Sequence, residues 1–147
     1  MSAKPAADPF ERLVDTVVGG AAHRPVWGQH HRAAVHRFDD RRFRKALRAY
    51  WGVEADAMRV SLAVQDASFV AGVVQTVSEA LALPAEDRRR VASAMVRNRV
   101  LGESDAGFAA VDAAWRAWWP PPPGEDGKRL FAEFVGAWRS WLAGSEA

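Results

Sequence analysis

Apolar positions recur along this chain at intervals of three and four residues, the spacing that puts side chains on one face of an α-helix. Phe10, Leu13, Val14 and Val17 make the first such stripe. Asp8 can cap it, Pro9 suits the first helical position, Glu11 completes a capping-box pattern, and Gly19-Gly20 is the expected stop. Pro25, Trp27 and Gly28 mark a loop, after which Gln29 to Phe38 can form a short helix with Val35 and Phe38 inward. Asp39 or Asp40 then caps a clearer helix that ends at Trp51-Gly52, with Phe43, Leu47, Tyr50 and Trp51 on one face.

Residues 53–65 give a mixed signal. Val60, Leu62 and Val64 alternate as in a strand, yet no second strand is on offer to pair with them. A helix that turns Met58 and Leu62 inward is therefore preferred. Asp66 is the expected cap of the next helix, whose face is Phe69, Val70, Val73, Val74, Val77 and Leu81, up to the break at Leu83-Pro84. Ala85 to Val100 follows, with Val91, Met95, Val96 and Val100 inward and Gly102 as its stop.

The C-terminal third holds five of the seven tryptophans. Ser104 is the expected cap of a helix carrying Phe108, Val111, Trp115, Trp118 and Trp119, with Asp112 and Arg116 as an i,i+4 pair on its outer face. Residues 120–124, four prolines and a glycine, form a turn into a last helix from about Asp126 to Ala143. That helix buries Leu130, Phe131, Phe134, Val135, Trp138 and Leu142, with Trp141 at the edge of the stripe. Two such helices joined by a short turn should pack antiparallel. The pattern predicts an all-α fold: one compact domain over 1–147, a bundle of five to seven helices ending in a tryptophan-rich antiparallel hairpin. Residues 1–7 are expected to be flexible.

Composition narrows the setting. A chain of 147 residues with 49% hydrophobic and 26% charged residues is an ordinary globular domain. It has no cysteine, which excludes disulfides, thiolate metal sites and cysteine nucleophiles. The N-terminus has no apolar signal region, and the longest apolar run, around residues 67–83, carries Glu79 and several polar side chains. A cytoplasmic protein with no membrane partner is expected. Only three of the twenty cationic residues are lysines, a bias that fits a GC-rich bacterial genome as well as it fits phosphate recognition. Cations concentrate between Arg24 and Arg59, and the balance turns acidic from Glu103 onward. Such a dipole suits head-to-tail self-association.

Chemistry leaves few footholds. His30, His31 and His36 lie near Asp39 and Asp40, with His23 upstream, but their helical directions diverge and no metal-ligand repeat appears; no metal site and no cofactor are expected. The acid pairs Asp39/Asp40, Glu86/Asp87 and Glu125/Asp126 all stand where helices begin, where capping explains them. There is no nucleophile elbow and no glycine-rich phosphate loop, so an enzyme is disfavoured. Two surfaces remain. One is the aromatic edge of the hairpin, Trp118, Trp119 and Trp141, since tryptophan is enriched at binding hot spots. The other is a basic helix face, Arg41, Arg44, Lys45 and Arg48, which Arg37 can extend. The arginines at 88–90, 97 and 99 can pair with acids on neighbouring helices. The expected function is a non-enzymatic helical binding or adaptor module with a protein partner. A nucleic-acid-binding subunit using the basic helix, or a helical protein with a tryptophan-lined pocket for a small molecule, are the alternatives.

Overall fold

The computed structural model describes residues 8–22, 38–103, 107–118 and 122–144, and among them six α-helices and no strand. They are α1 (Pro9–Ala22), α2 (Asp40–Trp51), α3 (Ala57–Leu81), α4 (Ala85–Met95), α5 (Ala109–Trp118) and α6 (Gly124–Gly144). A π-helical turn, Val96–Val100, continues α4. The expected loop at 23–28, the short helix from Gln29, the Ser104 cap and the N-terminal tail lie outside the described residues.

Local chemistry sets the helix starts. Asp8 Oδ1 accepts from the Phe10 amide at 3.0 Å, and Asp39 Oδ1 from the Arg42 amide at 3.0 Å. These satisfy amides that a helix N-terminus leaves without partners. The expected reciprocal bond from Glu11 is absent among the described residues. Helix α1 also runs through Gly19-Gly20 to Ala22 instead of stopping there. Glycine costs a helix about 1 kcal/mol but does not forbid it, and Gly19 does not take the left-handed conformation that a glycine stop uses.

Helix α3 is the central element, packed against α1, α2, α4, the π turn and α6. It overturns two expectations. Its N-cap is Asp56, whose carboxylate accepts from the Met58 and Arg59 amides at 2.7 and 3.3 Å. Asp66 therefore caps nothing; it stands in the middle of one continuous helix of 25 residues. The strand-like alternation at Val60, Leu62 and Val64 is helical too, but Val60, Ala63, Val64 and Ala67 are the buried side, while Met58 and Leu62 face outward. From Val70 to Gln75 every residue is buried. By length and composition α3 could cross a membrane, whereas the expected runs, broken at Asp66, were too short; in this fold 61% of its most apolar window is covered by neighbouring helices.

The C-terminal helices pack against each other through their rings. Phe108 meets Trp138 edge-on at 5.3 Å, and Trp118 stacks on Phe134 at 5.6 Å. The order of these pairs is opposite along α5 and α6, as in an antiparallel arrangement. Trp115, Phe134, Trp138 and Leu142 are buried, while Leu130, Phe131 and Val135, expected in the core, are only partly covered.

Candidate docking face

The N-terminal half of α3 carries apolar side chains on two opposite sides. One revolution takes 3.6 residues, so Val60, Ala63, Val64 and Ala67 share a side that the core covers. Met58, Leu62, Gln65 and Phe69 lie along the opposite side. Val53, Met58 and Leu62, at 95%, 72% and 56% exposed, are the large hydrophobic residues left in solvent among those described. Scattered exposed side chains need no explanation; Met58 and Leu62, however, stand one turn apart on α3, while Val53 lies in the turn that precedes it.

The surroundings of this face are built from three neighbours. Gly52, with φ of 97°, ends α2 and returns its amide to the Arg48 carbonyl at 2.8 Å, which brings the chain round through Val53 to the Asp56 cap. The turn leaves Trp51 beside α3, and the Arg59 guanidinium lies 3.8 Å over its ring. Two turns further along the same flank, the π turn projects Arg99 toward Asp66 of α3. Arg99 Nε stands 3.4 Å from Asp66 Oδ1, an ion pair that falls short of hydrogen-bond geometry. The same guanidinium covers Trp115 at 4.6 Å, and Phe69 packs on Trp115 at 5.5 Å. Burial pushes the Asp66 carboxyl above its ordinary value, against the opposing pull of Arg99. An open groove of about 530 Å³ lies beside these parts, its lining including Trp51, Arg59, Leu62, Arg99 and Leu101.

The far side of the π turn is tied down. Arg97 lies 3.9 Å over Phe10 and pairs with Glu103 at 3.2 Å, and the Tyr50 hydroxyl donates to the other Glu103 oxygen. That hydrogen bond, then burial, raises the tyrosine pKa. This latch joins α1, α2 and the end of the π turn, so one rim of the groove is held from behind. Single π turns recur at functional sites, though they do not define one.

The residues singled out from sequence take other places. Trp118 is partly buried against Phe131 and Phe134, and Trp141 is partly buried edge-on to Trp138 at 5.5 Å. Trp119 lies outside the described residues. The space beside α5 and α6 is an open groove lined by Gly107, Ala110, Gly136, Ser140, Gly144 and Trp141. On α2, Phe43, Ala46 and Leu47 are buried. That directs Arg41, Lys45 and Arg48 outward, with no ion-pair partner among the described residues. Arg44 instead pairs with Asp40 at 3.5 Å, and Arg37 lies outside the described residues. The arginines of α4 and the π turn are largely engaged: Arg89 with Asp15, Arg90 with Asp87 at 3.1 Å and with the Leu142 carbonyl at 3.0 Å. All four histidines lie outside the described residues, among which no group of three histidine, aspartate or glutamate side chains could hold a metal.

Sequence reasoning missed the α3 face because it began a new helix at Asp66. Carried through Asp66, the same spacing gives two apolar stripes on opposite sides, which was the available signal. Comparison of the chain with protein-family models, with curated proteins and with solved structures finds no match.

Proposed function

We propose that this protein is a non-enzymatic helical binding module acting through protein–protein contacts, with the outer side of α3 from Met58 to Phe69 as its docking face. The observation that carries this is the exposure of Met58 and Leu62, one turn apart at one end of an element whose other side is core. Leaving such side chains in water forfeits roughly 1.5–3 kcal/mol each relative to burying them, and a partner would recover that. A cytoplasmic setting belongs to this reading and agrees with a chain free of cysteine.

The test is a photo-crosslinking residue at position 62 in the cells that make the protein, beside a control at exposed Arg139 on α6. A discrete adduct at 62, absent at 139 and lost with Met58→Glu, is expected. No adduct at 62 beyond the control would overturn the reading.

A second reading, favoured by the outward row Arg41, Lys45 and Arg48, is an anionic partner such as a nucleic-acid backbone. Its test is a labelled DNA duplex titrated at several salt concentrations. The log–log slope should fall by about one for each phosphate that Arg41→Glu or Arg48→Glu no longer neutralises; no binding at low salt would remove it.

A further inference from the structure

The charges beside the α3 face suit one occupant in particular. We propose that the face pairs with a second copy of this chain, the two α3 helices lying antiparallel about a two-fold axis at the level of Ala63 and Val64. This rests on the docking reading above and names its partner.

Met58, Leu62, Gln65 and Phe69 follow one another at steps of four, three and four, the step pattern of a coiled-coil seam. In an antiparallel pair with that axis, Met58 layers against the copy's Phe69 and Leu62 against the copy's Gln65, and symmetry repeats both layers. The seam ends at Phe69 because from Val70 onward α3 is enclosed by its own domain. Two positions flank the seam on each side. Arg59 and Asp66 lie on one side, Ser61 and Ser68 on the other. The antiparallel register sets Arg59 across from the copy's Asp66 and Asp66 across from the copy's Arg59, while serines meet serines. A two-fold interface must be self-complementary, and this one matches its own charges.

Both charged groups have capacity for the contact. The Arg59 guanidinium rests on Trp51 but has no carboxylate partner among the described residues. Among the described residues Asp66 has one ion-pair partner, Arg99, at 3.4 Å, and a carboxylate accepts more than one donor. A parallel pair in the same seam would leave Asp66 beside a serine. The seam from residue 58 to 69 spans only about 17 Å at 1.5 Å per residue. A dimer held by so short a contact is weak, with a dissociation constant on the order of tens of micromolar.

Sedimentation equilibrium over a concentration series brackets that value. The wild-type chain is expected to pass from 16.1 kDa toward twice that mass. Leu62→Glu should raise the dissociation constant roughly 100-fold, because the layer occurs twice. Arg59→Glu and Asp66→Lys should each weaken pairing about tenfold by setting like charges across the axis. An equal mixture of those two variants should dimerise as tightly as wild type, since every apposition is then opposite in sign. Circular dichroism melting checks that each variant is folded; should Asp66→Lys melt early through loss of the Arg99 pair, Leu62→Glu and Arg59→Glu decide. A monomer at every concentration, a dimer indifferent to Leu62→Glu, or a mixture no tighter than its components overturns self-pairing. The crosslink at position 62 separates the two readings. An adduct of twice the chain mass agrees with self-pairing. An adduct of another mass, with a monomer in sedimentation, removes the second copy and keeps the docking face. No adduct removes both.

Discussion

Tyr50 shows how one side chain can hold several elements together. Its hydroxyl donates to Glu103, which also receives Arg97, while its ring meets Phe10 at 6.4 Å. Tyr50→Phe should cost about 1.5–3 kcal/mol, the range for a hydrogen bond to a charged group, read from urea midpoints. The pH dependence has a definite sign. The folded-state tyrosine pKa lies above the ordinary 10.0, so its contribution is complete below about pH 10 and is lost as pH rises through the folded value. Tyr50→Phe should therefore flatten the alkaline limb of the stability profile; an unchanged limb would show that the bond contributes nothing there. Ala82 is a second residue-level case. It caps α3 in the left-handed conformation, φ 49° and ψ 50°, which disfavours a side chain with a Cβ. Ala82→Gly should raise stability by about 0.5–1 kcal/mol despite the added freedom of the unfolded chain.

Elements here differ in how far their own pattern fixes them. α2 and α6 have one apolar stripe each, and the structure buries the centre of both. α3 has two stripes, so its sequence allows either side to be core, and only its neighbours choose between them. The fit of the proline-rich turn against the start of α6 depends on a small residue at one point. A side chain at the buried Gly127 would run into the Pro122 carbonyl, a backbone atom that cannot swing away. Gly127→Ala should therefore destabilise the protein by about 1–3 kcal/mol, with the loss seen as earlier thermal melting. Substitution at Gly136, where a Cβ meets nothing within 4 Å, is the matching control and should avoid that clash.

For the whole molecule, the docking face and the fold are separable. Leu62 is 56% exposed and Met58 is 72% exposed, so Leu62→Glu and Met58→Glu should leave monomer stability within about 0.5 kcal/mol of wild type. Chemical denaturation at a concentration far below the dimer dissociation constant measures this. A loss of several kcal/mol would mean that these side chains belong to the core after all. Asp66 adds a consequence of partial burial. Its carboxyl titrates above the ordinary 3.8, so protonation as pH falls through that raised value favours the folded state relative to the unfolded one. Carbon-detected NMR titration should place this carboxyl above the ordinary 3.8, and Asp66→Asn should remove its share of the pH dependence.

The helical class, the caps at Asp8 and Asp39, the core stripes of α1 and α2 and the ring-rich pairing at the C-terminus were all legible in the residues. Each follows from local rules: a carboxylate beside free amides, a period of 3.6, or large rings repeating on one side. What the tertiary structure decided was the direction of α3. Asp66 resembles a cap to a local rule, and Leu62 resembles a core residue. A carboxylate becomes mid-helix when Asp56 caps first and Arg99 of a distant turn stands beside it. A leucine becomes surface when valines on the other side of the same helix meet α1, α2 and α4. Those choices depend on which neighbours arrive, and neighbours far apart in sequence leave no mark in local spacing.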